Sequence, residues 1–588
     1  MRIIVDFETS YTPKAKPPHG LRDQTVPEYL HDHRTQCLGA AISVDGSPHW
    51  VTPDDLAHYL DKIAGRVEQG AVLSAHNATF DLSVWARFYP DSYARVRAAI
   101  VRDGTRLVDT EHLARWLSAQ GVLPPHVRSN VASLGEWLGL EKGDTAEAVA
   151  VGGETLAKYA TRDVEIQHRV LELWYKWTPA ENKLSTLHVL CGTPDEHSVM
   201  VDDELLAHLA RQSPAEAEMQ KAVRKDANFV AALEKLGVAV QYKTTKTGRN
   251  KPALAKTDDF VKELQAHSDL RVRKLIEARL KASSNIERTR AQTFLLATDD
   301  GKRPLPLPLR YYAAHTGRSG GSDKMNVQNL PRGGAHRRSL MAPQGHVLVG
   351  CDASQIEVRV LAWLARDEPT LAAFRDGRDP YKAFAVDLYQ LDSEEQVTGE
   401  QRRVAKSAVL GLGFGAGAQG FINYCKIMGV DIDPFEAKRV VDTYRRTRPA
   451  VPAYWHAVER EVRQRGEILL PSGRKMVYPH MTRETFTRPA PFQKVKGEVS
   501  KLWHGLLTEN VVQATARDVT LLYHAVEIGR RYPVVMLVHD EVVCSVPTEQ
   551  AQECLRFMIE IMQTPPTWAS DLPLAAEGDV GKNYGELK

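Results

Sequence analysis

No apolar run in the 588-residue chain approaches the roughly 20 residues that a membrane-spanning helix requires. The opening, MRIIVDFETS, carries charge within its first six residues and has no apolar core of the signal-peptide kind. Six cysteines are scattered without a CxxC pair, which argues against a disulfide framework and a zinc ribbon and fits a reducing cytoplasm. Internal repeats and low-complexity tracts are missing too. Nor is there a charge bias, since 76 Lys and Arg against 74 Asp and Glu leave a formal net charge of +2. That balance neither supports nor excludes a polyanionic partner, because a large protein can carry a basic channel on a neutral whole.

What is present is the balance of a soluble globular chain, 43% hydrophobic and 26% charged, and long enough for several domains. Residues 1–185 alternate strand-like runs (RIIVDFE, CLGAAISV, AVLSAHN) with helical stretches, as α/β domains do. Helical patterning dominates 186–310, and PLPLPLR (Pro304–Arg310) reads as a linker into a mixed last region. Basic residues cluster at Lys243–Lys256, Arg271–Lys274, Glu287–Arg290 and Arg445–Arg448, and their number makes phosphate contacts a fair expectation.

IVDFET sets Asp6 and Glu8 two residues apart at the end of an apolar strand, so both side chains leave one face. Two carboxylates held together repel unless a cation lies between them, which points to ligands of a hard metal. HNATFD ends on Asp81 after the strand AVLSA, and in YATRDVEIQHRV Tyr159 and Asp163 stand at i and i+4 on one helix face. Singly, each is a surface acid or a cap. In this order and context they resemble the 3′→5′ proofreading exonucleases of the RNase H-like, DEDD superfamily, over roughly the first 180 residues. The resemblance implies that Asp6, Glu8, Asp81 and Asp163 hold two metal ions about 3.5–4 Å apart, that Tyr159 orients the attacking water, and that Asn77 supports the site.

Further along, GCDASQIEVRVLAWLARDE brings Asp352 to a strand end and then enters a helix. VVMLVHDEVVCSV places His539, Asp540 and Glu541 at the turn of a hairpin. Two aspartates on neighbouring strand ends suit two-metal phosphoryl transfer. HDE alone is a common polar turn, whereas DxSQIE is far rarer by chance. Between them, RRVAKSAVLGLGFGAGAQGF (Arg402–Phe421) admits two readings. Gly415, Gly417 and Gly420 spell the GxGxxG of a dinucleotide loop, with Asp433 as the following acid of a nicotinamide-dependent oxidoreductase. On a helix, instead, Arg402, Lys406, Leu410 and Phe414 recur every four residues along one face, two cations and then two apolar groups, as an incoming nucleotide requires. No acid within the stretch pairs with those cations, Rossmann strands do not begin with RRVAK, and an oxidoreductase leaves every carboxylate motif unexplained. The second reading is preferred, and its glycines then leave room for a template strand where the helix ends.

With HTGRSGGSDKMNVQNLPR, LPSGRKMVYP and NVVQATARD added to DASQIEVR, RRVAKSAVLGLGFG and VHDEVV, residues 310–588 resemble the polymerase domain of family A (DNA polymerase I-like) DNA polymerases, the phage members being nearest in style. The resemblance implies an α/β multidomain chain: an RNase H-like exonuclease at 1–185, a thumb at 186–310, and palm and fingers at 311–588 with the fingers inserted at roughly 366–500. It implies a monomeric cytoplasmic enzyme of phage replication that extends primer-template DNA with dNTPs, uses two Mg2+ or Mn2+ ions per active site, and proofreads. No membrane partner is expected, accessory proteins are not identified, and the early exonuclease motif implies no 5′-nuclease domain. An exonuclease with a merely DNA-holding polymerase domain is disfavoured by the intact Asp352, Asp540, Arg402 and Lys406.

Residue by residue, the resemblance gives Asp352, Asp540 and the Ala353 carbonyl to the catalytic metals, with Glu541 in support. Glu357 becomes the gate against a ribose 2′-hydroxyl. Arg402 and Lys406 bind the triphosphate, with Lys406 as a proton donor to pyrophosphate, and Gln355, Leu410, Phe414 and Tyr381 complete the nucleotide site. Arg318, Gln513 and His539 touch primer or template. The sequence departs from the family pattern at Leu410 and Phe414, where a sugar-packing aromatic and a tyrosine are usual, and at Ala353, Tyr381 and Leu537. Loss of a stacking ring removes about 1–3 kcal/mol of nucleotide binding if nothing replaces it.

Overall fold

A computed structural model of the chain describes residues 1–12, 19–211, 218, 221–244, 250–255, 258–283, 286–489 and 499–587. Its N-terminal part is built on a five-stranded sheet of β1 (Arg2–Thr9), β2 (Cys37–Val44), β3 (Ser47–Val51), β4 (Val72–Ala75) and β5 (Leu107–Asp109), in the order β3-β2-β1-β4-β5. β1, β2 and β3 run antiparallel, whereas β4 and β5 are parallel to β1. In β1 the period of two does the sorting. Ile3, Val5 and Phe7 enter a core with Leu56, Leu60 and Ile63 of the helix Pro53–Glu68. Ile4 faces the other layer, with Ala160 and Val164 of the helix Gly153–Leu171. Asp6 and Glu8 share the parity of Ile4, so the strand turns both toward that helix.

The last region is built on a four-stranded antiparallel sheet in which the strand His346–Ala353 is central, flanked by Glu541–Pro547 and Ala576–Gly581, with Val534–Val538 beyond. Val347, Val349 and Cys351 face one core with Cys554, Met558 and Met562 of the helix Ala551–Gln563. Leu348 faces another core with Val199, Leu206, Phe294 and Tyr584. Residues 199–210 and 286–298, expected in the thumb, therefore pack on the back of this sheet. A separate small core holds Val223, Phe229, Leu233, Phe260, Leu264, Val272 and Ile276.

Three expectations change at the junction. The boundary at 185/186 falls inside one helix, Pro179–Gly192, whose Leu184, Leu187 and Cys191 belong to a core shared by both halves. PLPLPLR is extended but is no free linker: Leu305, Leu307 and Leu309 are buried, and Leu305 and Leu307 donate backbone hydrogen bonds to Val199 and Cys191. Arg448, counted among the candidate phosphate contacts, is buried and donates to Asp387 at 2.8 Å. Residues 245–249 and 256 of the basic run Lys243–Lys256 lie outside the described residues.

Joining the halves is a buried charged network. Arg517 donates to Glu181 Oε1 and Oε2 at 2.7 and 2.8 Å, and Asp518 accepts from Arg517 and Arg474. Tyr311 donates to Glu181, and Arg474 also holds the carbonyls of Thr316 and Ala514. All six cysteines are free thiols, and among the described residues no helix is long and apolar enough to cross a membrane.

Candidate active sites

Asp352 lies at the end of the central strand, opposite Glu541 in the register, and the Ala353 N–H donates to the Asp540 carbonyl at 3.3 Å. The pairing brings the strand end and the hairpin turn together, as their separate motifs required. His539 takes the left-handed conformation (φ 55°) that lets two residues close the turn. It is exposed, and its Nε2 shares a hydrogen bond with the Gln328 carbonyl at 3.1 Å. Arg318 donates to Glu357 Oε1 at 2.7 Å and stands 3.5 Å from Asp540 Oδ1, so one guanidinium spans the expected gate and an expected metal ligand. Burial pushes the Asp540 carboxyl up to about 6, against the pull of Arg318, and burial also raises Asp352. Glu541 accepts from the Tyr584 hydroxyl at 2.7 Å, with Arg337 stacked on the Tyr584 ring 3.8 Å from its centre. Gln513 donates to Glu509 at 3.1 Å, and Gln355 is the exposed residue just before the helix Ile356–Ala365, also left-handed at φ 55°.

The stretch that admitted two readings is a helix, Gly399–Leu412, opened by a Thr398–Gln401 capping box. A helix and not a strand precedes the GxGxxG run, which ends inside the next helix, Ala418–Ile427, so the dinucleotide-loop reading fails. Arg402, Lys406 and Leu410 do share a helical stripe, but Phe414 follows the helix end in a turn. Gly415 serves that turn: its φ is +79°, and a Cβ there would stand 2.8 Å from His504 Nε2. The absence of acids within the stretch was misleading, because Asp379 of a neighbouring segment accepts from Arg402 Nε at 2.6 Å. Tyr381 is 3% exposed, with its ring 5.5 Å from Arg402 and 6.0 Å from Lys406. Its ring packs beside both cations.

At the other end, Asp81 is buried on the helix Ala78–Phe88 and accepts from the Phe7 N–H at 3.0 Å, which ties it to β1 between Asp6 and Glu8. Tyr159 and Asp163 are buried on the facing helix. Tyr159 shares a hydrogen bond with Thr145 Oγ1 at 2.6 Å. Asn77 is exposed and left-handed (φ 62°), and its N–H donates to Asp109. Burial, then the Asp163 charge, raises Asp6 to about 7, and burial with Asp6 and Asp163 raises Glu8 to about 9. Asp81 is raised as well, by burial first.

Neither cluster is drawn into a finished cage: among the described residues no three Asp, Glu, His or Cys side chains stand ready to hold an ion. Basic side chains lie among the acids instead, Arg318 at Asp540, Arg332 at 3.8 Å from Asp352, and Lys142 on Asp163. The donors nevertheless fit hard divalent cations. They are all oxygens, mutual repulsion and burial raise their carboxyls, and one buried oxygen in each cluster, Asp163 Oδ1 and Asp540 Oδ1, has no hydrogen-bond partner. Sequence reasoning missed Lys142, Asp379, Arg332, Arg337, Tyr584 and Asp109. Asp109 and Asp379 carried local signals, as the caps of the helices Thr110–Ala119 in VDTEH and Pro380–Tyr389 in DPYKAF, and Asp109 also receives the Ala78 N–H.

The chain is 31% identical over 283 residues to the DNA polymerase I of Pseudomonas aeruginosa, covering 46% of this chain and 29% of that protein. It is 26% identical over 498 residues to the DNA polymerase of Bacillus phage SP02, covering 73% of this chain and 75% of that one. It thus spans under a third of the bacterial relative and three quarters of the phage one. Its fold matches the POL domain of Pol1 from M. smegmatis, solved in complex with DNA primer-template and dNTP, with a TM-score of 0.67 at 19% identity over 99% of this chain and 95% of the other. The family model for DNA polymerase family A matches residues 208–586, which take in Asp352, Asp540 and the whole Arg402 helix. The chain belongs to DNA polymerase family A.

Proposed function

We propose that the chain extends a primer on a DNA template and removes mispaired 3′-terminal nucleotides at a second site, in replication of a phage genome. The observation that carries the polymerase half is Arg318, which bridges Glu357 and Asp540 beside the Asp352 strand end. The exonuclease half rests on β1, whose alternation turns Asp6 and Glu8 toward the helix of Tyr159 and Asp163. The β3-β2-β1-β4-β5 order supports an RNase H-like domain. The coverage shared with the phage SP02 polymerase supports the replicative setting.

Asp352, the Ala353 carbonyl and Asp540 in the palm, and Asp6, Glu8, Asp81 and Asp163 in the first domain, would hold Mg2+ or Mn2+ ions, which when bound neutralise phosphoryl charge and activate the attacking oxygen. The chain's own side chains do the rest. Glu357 stands where a ribose 2′-hydroxyl is rejected. Arg402 and Lys406 receive the triphosphate, Arg402 keeping Asp379 on Nε while its side chain is 40% exposed, and Lys406 gives a proton to the departing pyrophosphate. In the first domain Tyr159 orients the attacking water.

Primer extension and 3′-end degradation on the same labelled substrate separate the two activities. Asp352→Ala is expected to abolish extension and leave degradation, and Asp6→Ala with Glu8→Ala to do the reverse. Loss of both activities from either folded variant refutes the two-site reading. Degradation without extension by the wild type leaves only a DNA-holding polymerase domain.

A further inference from the structure

Lys142 lies in the loop EKGD between the helices Val131–Leu138 and Thr145–Val151, where no motif or periodicity marks it. Its ammonium donates to Asp163 Oδ2 at 2.5 Å and stands 4.9 Å from the centre of the Tyr159 ring. Three residues on, Thr145 holds the Tyr159 hydroxyl, so a single loop grips both side chains of the Tyr159–Asp163 pair. The contact is sheltered: the Asp163 side chain is 6% exposed and that of Lys142 19%. Asp163 is thereby divided, with Oδ2 committed to the ammonium and the buried Oδ1 unpartnered.

We propose that Lys142 is a positioning residue of the exonuclease site, which presents Asp163 to a cation through one oxygen only and keeps the Tyr159 ring in register with it. The proposal rests on the exonuclease reading given above. The reasoning is geometric. A carboxylate free on both oxygens can rotate and chelate one ion symmetrically, whereas one pinned by an ammonium offers only its other oxygen, in a fixed orientation. Tyr159 lies one helical turn from Asp163, so the same ammonium that pins the acid limits the tilt of the ring. Partners that orient metal ligands in this way typically change activity by about 10–100-fold when removed.

The test uses the full chain as wild type, Lys142→Met and Lys142→Arg. Free Mn2+ is followed by electron paramagnetic resonance during titration, alongside degradation of a 3′-labelled single strand, primer extension and thermal unfolding. For Lys142→Met, degradation at saturating Mn2+ is expected to fall by about 10–100-fold. Extension is expected to stay within about twofold and the unfolding midpoint within a few degrees, while Mn2+ binds no more weakly than in wild type because a competing cation has gone. Lys142→Arg, which keeps the charge and a donor, is expected to recover part of the degradation. Unchanged degradation in Lys142→Met overturns the proposal. So does weaker Mn2+ binding together with lost thermal stability, which marks a merely structural lysine. If Lys142→Met does not fold, Lys142→Gln, which drops the charge, decides: Mn2+ binding no weaker than wild type with reduced degradation supports the role, and degradation equal to wild type refutes it. A wild type that neither degrades DNA nor loses bound Mn2+ on Asp6→Ala with Glu8→Ala refutes the exonuclease reading itself. A wild type that degrades as fast as Lys142→Met refutes only the lysine's role.

Discussion

Replacing Arg517 by methionine tests the buried network that joins the region of the first sheet to that of the four-stranded sheet. Arg517 is 1% exposed, and it meets Glu181, itself 2% exposed, through two hydrogen bonds of 2.7 and 2.8 Å. Glu181 sits on the helix Pro179–Gly192, and Arg517 ends the helix His504–Arg517 that carries Gln513. Removing the guanidinium leaves Glu181 with only the Tyr311 hydroxyl and Asp518 with only Arg474 and the Ser472 hydroxyl. Breaking a buried pair from one side costs about 3–5 kcal/mol, most of it from the carboxylate left without its counter-charge. Replacing both partners, Glu181→Leu with Arg517→Met, removes that stranded charge, so the double variant is expected nearer to wild type than either single one. The coupling energy then exceeds about 2 kcal/mol in a double-mutant cycle. Urea unfolding followed by tryptophan fluorescence reads it, with the first transition as the observable because a chain of this size need not unfold in one step. Primer extension near the unfolding midpoint should follow the same order, since Arg474 in this network also braces the Thr316 and Ala514 carbonyls beside Arg318 and Gln513. Single variants within about 1 kcal/mol of wild type, or a double variant equal to the sum of the singles, would refute the reasoning.

Other outcomes follow from the same geometry. Burial pushes His112 and His188 down to about 3 at the junction of the two halves. Their unfolded forms protonate near pH 6.5 and the folded ones do not, so stability is full above about pH 6.5 and falls as pH drops toward 3. Thermal unfolding across that range should show the loss, and His188→Gln should flatten it; an equal slope in the variant argues against His188. Gly415→Ala forces a side chain into the left-handed region and against His504, and should lower stability by about 1–2 kcal/mol by thermal unfolding, whereas a neutral result would mean the turn relaxes freely. Leu410→Phe should lower the KM for dNTPs by up to the equivalent of about 1–3 kcal/mol in steady-state extension. An unchanged KM would mean that another group already packs on the nucleotide.

How much of this was legible in the sequence depends on the range of the interaction responsible. The period of two in RIIVDFET already assigned Asp6 and Glu8 to the Ile4 side, and the apolar runs around HDE defined the hairpin. The Thr398–Gln401 box that opens the Arg402 helix is local in the same sense, because caps, turns and strand parity are settled within a few residues of chain. The extent of that helix was less legible, and the stripe drawn through Phe414 overran it by two residues.

Charge pairing was where local reading failed. Nothing near Arg402 announced Asp379, and nothing near Glu181 announced Arg517, 336 residues away in the chain. Arg448 read as a solvent-facing cation until Asp387 was placed beside it, and PLPLPLR read as a linker until two backbone carbonyls received its N–H groups. The sequence by itself therefore determined which faces of the strands and helices carry the acids, the cations and the apolar residues. Tertiary structure alone decided which opposite charges meet and which polar groups are left open. Side-chain direction follows from local backbone geometry, whereas burial and Coulomb partners exist only once distant elements pack.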